Sequence, residues 1–339
     1  MSKRVVVVGG GISGMQTALS LKSLGFEPLI LEQSRQLGGK VADWHLLFPT
    51  FTSAEEVTVP LIRAVRQNGI LVRLGCKVVS IESRRVILSS GERIDCDAVV
   101  LCSGSTLFDA TIKEEYGYGI YDNVYTSADI EKMMNNECVA TASGAAPERI
   151  AILHCVGSRD EKVCQRHCSK VCCITGVKQA IELKKLFPKA EIFNFYMDIR
   201  MFGPGYEELY RQAQIDYNIH FVRGRISEAS PLMDGRVQIK AEDTLTGRPL
   251  RMTVDMLVLL VGMSPNYENE ELSASSGLAL APNGYFRAND SFLGAVRSNI
   301  DGIFYVGAAT APKSLADTLA EASMTASAVA EYVNNKNLY

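Results

Sequence analysis

Five cysteines, Cys155, Cys164, Cys168, Cys172 and Cys173, crowd one short stretch of the chain, and the first of them opens the run Cys155-Val-Gly-Ser-Arg159. Thiols at this density ligate a metal, exchange electrons as dithiols or close disulfides. Taken as ligands, Cys155 comes from the end of a strand-like run and Cys168, Cys172 and Cys173 from the start of the next helix-like run. Four thiolates suffice for a [4Fe–4S] cluster, whose oxidised form carries roughly two negative charges; Arg159, Lys162, Arg166 and Lys170 are near enough in sequence to offset them. The spacing Cys164-x-x-x-Cys168-x-x-x-Cys172 also suits tetrahedral zinc. Spacing alone leaves both metals open.

A second chemical signature lies near the N-terminus. Val5 to Val8 is a β-branched run of the kind buried in a parallel sheet, and Gly9-Gly10-Gly11-Ile12-Ser13-Gly14 turns it into a helix. Gly9, Gly11 and Gly14 allow a tight turn, close approach to a pyrophosphate and close helix packing. The N–H groups around Ser13, at the helix start, offer roughly half a positive charge to a diphosphate. Glu32 ends the following strand, 18 residues beyond Gly14. There a carboxylate accepts hydrogen bonds from ribose hydroxyls and disfavours a 2′-phosphate. The ligand expected is therefore FAD or NAD.

The elements that position these groups alternate strand and helix. The first helix is expected to reach about Lys22, the second strand to span Pro28–Leu31, and Gly38-Gly39-Lys40 to form a loop. A helix over 55–68, short strands at 70–74, 77–82 and 85–88, and a parallel strand at 98–101 follow. Ser127-Ala-Asp-Ile130 reads as a capped helix start. A second αβ pattern opens at Arg149-Ile-Ala-Ile-Leu153 and runs through the cysteine loop into a helix ending near Phe187. It continues with a strand at 191–196, a helix at 206–217, a strand at 220–222, a hairpin region at 226–253 and an apolar strand, Met256–Val261. Ile303 to Gly307 is a strand, followed by an Ala-rich helix over about 315–333. The fold class expected is α/β with two dinucleotide-binding domains, the second inserted into the first: residues 1–112 and 263–339 for the first, 113–262 for the second.

Composition excludes some classes. The 339 residues carry a formal charge of −3 and no basic block, so neither nucleic acid nor an anionic membrane is an expected partner. No apolar stretch approaches the roughly 20 residues that span a bilayer, and no export signal is read at the start. With nine cysteines, a reducing cytoplasm is the expected location and structural disulfides are not expected. Cys76, Cys96, Cys102 and Cys138 are assigned to apolar packing. His45, His154, His167 and His220 form no catalytic set, and His167 is expected in a solvated loop.

Gly38-Gly39, Cys102-Ser103-Gly104 and Asp301-Gly-Ile-Phe-Tyr-Val-Gly307 together resemble the two-dinucleotide-domain flavoproteins that include thioredoxin and glutathione reductases. That resemblance implies FAD, touched by Gly38, Gly39, Lys40, Val79, Ser103, Gly104, Gly307 and Ala308. The family commonly has an acid after this last glycine, where Ala308 stands here. Lys313, just before the final helix, is placed to bring positive charge to the flavin pyrimidine edge. In the second domain Gly157 stands nearly alone where a nicotinamide loop is expected, so NAD(H) enters only as a possible electron partner.

The cysteine loop, from Cys155-Val-Gly-Ser-Arg159 through His167-Cys-Ser-Lys-Val-Cys-Cys173, closely resembles the A subunit of heterodisulfide reductases. The resemblance extends to Asp198-Ile-Arg200, Gly203-Pro-Gly-Tyr206, Val261-Gly-Met-Ser-Pro265 and Pro312-Lys313. It maps the four ligands of a [4Fe–4S] cluster onto Cys155, Cys168, Cys172 and Cys173, and leaves Cys164 as a neighbour. Ferredoxin-type C-x-x-C modules are absent, which is most like the short A subunit of the heterodisulfide-reductase-like complex of sulfur oxidation. The resemblance implies companion iron–sulfur subunits and a homodimer. Two other readings are carried with it: a free-standing NAD(P)H-dependent disulfide reductase, and a zinc-stapled flavin-binding scaffold.

Overall fold

A computed structural model describes residues 3–335 and divides the chain into two compact units. The first holds the residues up to Asp43, Ala54–Thr106 and those from Ser264 on; the second holds Trp44–Ser53 and Leu107–Met263.

In the first unit, β1 (Arg4–Val8) leads into α1 (Ile12–Ser23) and β2 (Glu27–Glu32). Then come α2 (Ala54–Gln67), β3 (Leu71–Leu74), three short strands, β4 (Val78–Glu82), β5 (Arg85–Leu88) and β6 (Arg93–Asp95), and β7 (Ala98–Leu101). In the second unit the chain runs through β8 (Val124–Thr126), α3 (Ser127–Asn135), β9 (Arg149–Val156), α4 (Cys172–Leu186) and β10 (Glu191–Tyr196). It continues with α5 (Tyr206–Ile215), β11 (His220–Arg223), β12 (Ile226–Pro231), β13 (Val237–Asp243), β14 (Arg248–Val254) and β15 (Met256–Val261). Back in the first unit follow α6 (Asn269–Ser276), β16 (Ile303–Tyr305) and α7 (Leu315–Asn335).

The first parallel sheet has the order β16-β7-β1-β2-β3. Its inner strands are apolar on both faces, and the period of two sorts their side chains. Val5, Val7, Ile30, Val100 and Phe304 join the core against α1 and α7. Val6, Leu29, Leu31, Val99 and Leu101 join Ile81, Val86 and Ile94 of the antiparallel β4-β5-β6 sheet on the other face. Val5 to Val7 are fully buried, worth roughly 1.5–3 kcal/mol each.

The second unit repeats this plan. Its parallel sheet has the order β8-β15-β9-β10-β11. Ile150, Ile152, Met256 and Val258 pack with Ile174, Val177 and Ile181 of α4. Ala151, Leu153, Leu257 and Leu259 pack with Val237 and Ile239 of the antiparallel β12-β13-β14 sheet. The region read as a hairpin is therefore a three-stranded meander, because Arg248–Val254 doubles back along β13 in seven-residue register. The helix read to residue 217 stops at Ile215, and the strand read to Gly307 stops at Tyr305, where Gly307–Ala309 tightens into a 3₁₀ turn.

In the first sheet β1, and in the second sheet β9, has one neighbour that follows it directly and one that comes from later in the chain. Carboxyl ends of parallel strands at such a reversal form the crevice in which this architecture binds ligands. The glycine loop follows β1 in the first unit, and the cysteine loop follows β9 in the second.

Candidate functional site

The loop after β1 is built to receive an anion. Gly11 caps α1 with extended backbone and offers no side-chain hydrogen bond, and no acidic residue occupies the first turn. A Cβ on Gly14 would fall 1.9 Å from the Gly9 carbonyl oxygen, and one on Gly9, whose φ is +109°, 2.4 Å from that of Cys102. Helix and strands thus approach as only glycine permits. Gly38 donates its N–H to Gly10 O at 3.0 Å, and Gly39 lies so close to Gly11 that a Cβ would meet Gly11 Cα at 3.0 Å. Lys40 is exposed in the 3₁₀ turn that follows.

Glu32 is buried at the end of β2, its two oxygens accepting the N–H groups of Gly10 (2.6 Å) and Ser34 (2.7 Å). A ribose there would meet a carboxylate already oriented by backbone donors. At the tip of β7 the Ser103 hydroxyl is buried with no hydrogen-bond partner, beside half-buried Gly104. Val79 is half-buried in β4, and its carbonyl accepts the Ser275 hydroxyl at 2.7 Å. An uncapped helix start, glycine lips, a ribose-height carboxylate and an orphaned hydroxyl fit a dinucleotide.

At the far side of this crevice Gly307 is buried and Ala308 half-buried. A Cβ on Gly307, at φ +72°, would meet Ser13 Cβ at 3.1 Å. Sequence reasoning missed Glu321 of α7, whose Oε2 accepts the Gly307 N–H at 2.5 Å and whose Oε1 receives Lys313 Nζ at 2.5 Å. Lys313 also donates to Thr310 Oγ1 at 2.9 Å. The one sequence signal for Glu321 was negative: an expected acid after Gly307 is absent, so one must come from elsewhere.

The cysteine loop has unusual backbone. Cys155 (φ 61°), Arg159 (55°), Cys164 (57°) and Lys170 (63°) all adopt the left-handed conformation, as does Gly157 (65°). Several such non-glycine residues in one loop store strain, a feature that clusters at ligand clamps. Ser158 and Ser169, both fully buried, clamp the loop's base with a hydroxyl–hydroxyl distance of 2.9 Å, and Met263 N donates to Ser169 Oγ at 2.8 Å. Arg159 and Asp160 N–H groups bond His167 and Gln165 carbonyls at 2.9 and 2.8 Å.

Asp160 anchors the loop. It is buried, receives Lys113 Nζ at 2.9 Å and Arg225 Nη2 at 2.7 Å, and caps the Glu161–Val163 turn by accepting Lys162 N. Burial pushes its carboxyl upward, but the hydrogen bonds from Lys113 and Arg225 win and bring it down to about 2. A depressed carboxylate contributes stability present above the unfolded value near 3.9 and lost as pH falls through the folded one. Asp160→Asn is therefore expected to remove roughly 2 kcal/mol of the protein's acid sensitivity between about pH 4 and pH 2. Denaturant titrations of the two proteins across that window check it; parallel pH profiles would contradict it.

Cys155, Cys172 and Cys173 are buried and Cys168 is half-buried; none of the nine cysteines is in a disulfide. Among the described residues, no three His, Cys, Asp or Glu side chains form a preformed ion-binding group. The three buried thiols are nonetheless perturbed, and Cys168 adds to the upward shift of each. Burial pushes Cys155 up to about 12, with Cys173 and Cys168 adding to the shift. Burial likewise raises Cys172 well above the ordinary thiol value, reinforced by Cys155, Cys173 and Cys168. Cys173 rises through burial, partly relieved by the Arg200 backbone, and donates to Asp198 O at 3.8 Å. Lys170 N donates to Cys168 Sγ at 3.4 Å.

Such thiols stay protonated near neutrality, which suppresses disulfide exchange, while a bound metal would deprotonate them. Arg159, expected beside the thiols, is there: its guanidinium feels Cys155 and Cys168 and pairs with Asp198. Arg166, in contrast, is 80% exposed and faces Glu161 at 3.7 Å. Arg200, 3.5 Å from Asp198 and lowering Cys173, is a cation that spacing in the loop could not reveal. Cys172 and Cys173 lie in the first turn of α4, which has no side-chain cap, so the positive end of the helix would favour their thiolates once a metal is bound.

The remaining cysteines and histidines divide. Cys96 and Cys102 are buried as expected, but Cys76 is half-buried and Cys138 exposed, because Cys138 follows the end of α3 rather than packing under it. Cys164 is exposed, apart from the three buried thiols. His167 is half-buried, not solvated, with Nε2 2.9 Å from Met263 O. His154 is buried against Asn194 at 2.8 Å, and burial lowers it to about 4.

Residues 1–132 match the family model described as pyridine nucleotide-disulphide oxidoreductase. The chain is similar to the iron-sulfur A subunit of the CoB–CoM heterodisulfide reductase of Methanocaldococcus jannaschii: it is 31% identical over 97% of its own length and spans 64% of that relative. Its fold is that of thioredoxin reductases. The Lactococcus lactis enzyme matches with a TM-score of 0.70 at 16% identity, covering 98% of this chain and all of the other. The T. acidophilum enzyme matches at 0.68 and 18%, over the full length of both. Both parallel sheets are thus the two Rossmann-type sheets of that architecture. Among the described residues no helix is long and apolar enough to cross a membrane.

Proposed function

We propose that this homologue of heterodisulfide reductase A subunits is an electron-transfer subunit carrying FAD in the first unit and one [4Fe–4S] cluster on the cysteine loop, and acting with iron–sulfur partner subunits. The observation that carries the reading is the place of the loop. It leaves β9 at the strand-order reversal of the second sheet, where the fold otherwise holds a nicotinamide nucleotide, and there it presents three buried thiols and one half-buried thiol instead of glycines.

The chain's own residues divide the work. The N–H groups from Gly11 to Gly14 hold a pyrophosphate, Glu32 orients the adenosine ribose, and Ser103 Oγ has a free valence for the same ligand. Bound FAD supplies the conversion between two-electron and one-electron transfer. Cys155, Cys168, Cys172 and Cys173 are the metal ligands of this reading, with Arg159 and Arg200 offsetting thiolate charge and Asp160 fixing the loop. The burial of Cys155, Cys172 and Cys173, away from any disulfide substrate in solvent, argues against the free-standing dithiol reductase. The methanogen relative is an iron–sulfur subunit, which favours iron over zinc.

We extend the proposal to a role in sulfur oxidation, a cytoplasmic location, a homodimer, and NAD(H) as an occasional electron partner. Anaerobically purified protein should contain one FAD with about four iron and four sulfide per chain. Stoichiometric zinc, or cystines in the loop, would overturn the metal assignment.

A further inference from the structure

Sheet order fixes which way a dinucleotide must run across the first unit. The glycine loop at the tip of β1 takes the pyrophosphate, and Glu32, at the tip of β2, takes the adenosine ribose on one side. The other half of the ligand must then cross the tips of β7 and β16 on the opposite side. At that end stand Ser103, Gly307, Lys313 and Glu321. A Cβ on Gly307 would lie 3.1 Å from Cβ of Ser13 in the first turn of α1, so the β16 turn borders the pyrophosphate site itself.

Glu321 and Lys313 are only 14% and 17% exposed, and Glu321 uses both oxygens: one on the Gly307 N–H, the other on the Lys313 ammonium. The pair therefore forms part of the crevice wall and carries no net charge. A solvated surface lysine would not be held this way, and an isolated lysine here would act as a full positive charge on the ligand.

We infer that Glu321 is a positioning and charge-compensating residue of the flavin site: it holds the β16 glycine turn in place of an acid at position 308, and it cancels the charge that Lys313 would otherwise impose on the flavin. This rests on the FAD reading above. A reduced flavin gathers negative charge at the pyrimidine edge, so an uncompensated cation nearby favours reduction. At an effective dielectric constant near 20, a unit charge within about 12 Å changes that equilibrium about tenfold.

The test is the midpoint potential of the bound flavin, measured by dye equilibration on the full flavin-loaded chain. Glu321→Gln keeps an acceptor for Gly307 N and unmasks Lys313, so its potential should rise by at least about 30 mV, the two-electron equivalent of tenfold. Lys313→Met unmasks Glu321 and should lower it by a similar amount. The double variant, neutral at both positions, should return near the parent value. Shifts of the same sign in both single variants, or none in either, would overturn the inference while leaving the FAD assignment standing. A parent chain that binds no flavin overturns both, and its absorption spectrum tells the two failures apart.

Discussion

Cys172→Ser is expected to strip the iron from the purified protein, from about four atoms per chain to at most a small residue, while the flavin spectrum persists. Cys172 is the most constrained of the four proposed ligands. It opens α4, is 7% exposed, and its sulfur feels all three of the other thiols. Serine is close in volume, so the packing of Ile174 and Val177 on β9 should survive and a folding failure would not mimic ligand loss. A serine hydroxyl does not ionise readily enough to replace a thiolate. Because the glycine loop and Glu32 belong to the other unit, FAD stoichiometry should not change. Cys164→Ser provides the contrast: that thiol is exposed and lies outside the set, so iron content should hold. Equal iron in parent and Cys172→Ser protein would contradict the ligand assignment.

What the sequence disclosed was local. The strand–glycine loop–helix unit at Val5–Gly14 is legible because turn, helix start and buried strand are written within adjacent residues, and the thiols are legible because they fall in one loop. Pairings that span the chain left no trace in spacing. Asp198 meets Arg159 across 39 positions, and Asp160 meets Lys113 and Arg225 from 47 and 65 positions away. Glu321 reads as one more polar residue of an Ala-rich helix until Gly307 and Lys313 are seen to converge on it. Left-handed backbone at Cys155 and Lys170 was equally hidden, because neither residue type favours it. The segment Trp44–Ser53 gave no signal of packing with the second unit, since what binds it is a set of charges on helices far along the chain.

Those charges centre on Lys178. Lys178 is 2% exposed, with Nζ 2.6 Å from Glu131 and 3.1 Å from Glu182, themselves 7% and 5% exposed. It also donates to Leu46 O at 2.9 Å, Glu131 accepts His45 N at 2.9 Å, and His45 Nδ1 lies 3.0 Å from Glu182. Lys178 therefore compensates two buried carboxylates at once and ties the 44–53 segment to α4. Lys178→Met preserves the aliphatic stem but leaves the carboxylates facing each other without their cation. Removing one partner of such a cluster costs about 3–5 kcal/mol, far more than losing a surface pair. Burial already raises Glu182 despite Lys178, and without the lysine its folded-state value rises further. A group raised in the folded state binds protons more tightly there than in the unfolded chain, so lowering pH favours the fold. The deficit of Lys178→Met relative to the parent should thus be largest near pH 7 and shrink toward pH 5. Lys178→Met with Glu182→Gln should recover part of it at pH 7, since one buried charge is gone. Urea midpoints of the three proteins at pH 7 and pH 5 decide the matter: a deficit independent of pH would mean that packing of the lysine stem, not its charge, holds this part of the second unit.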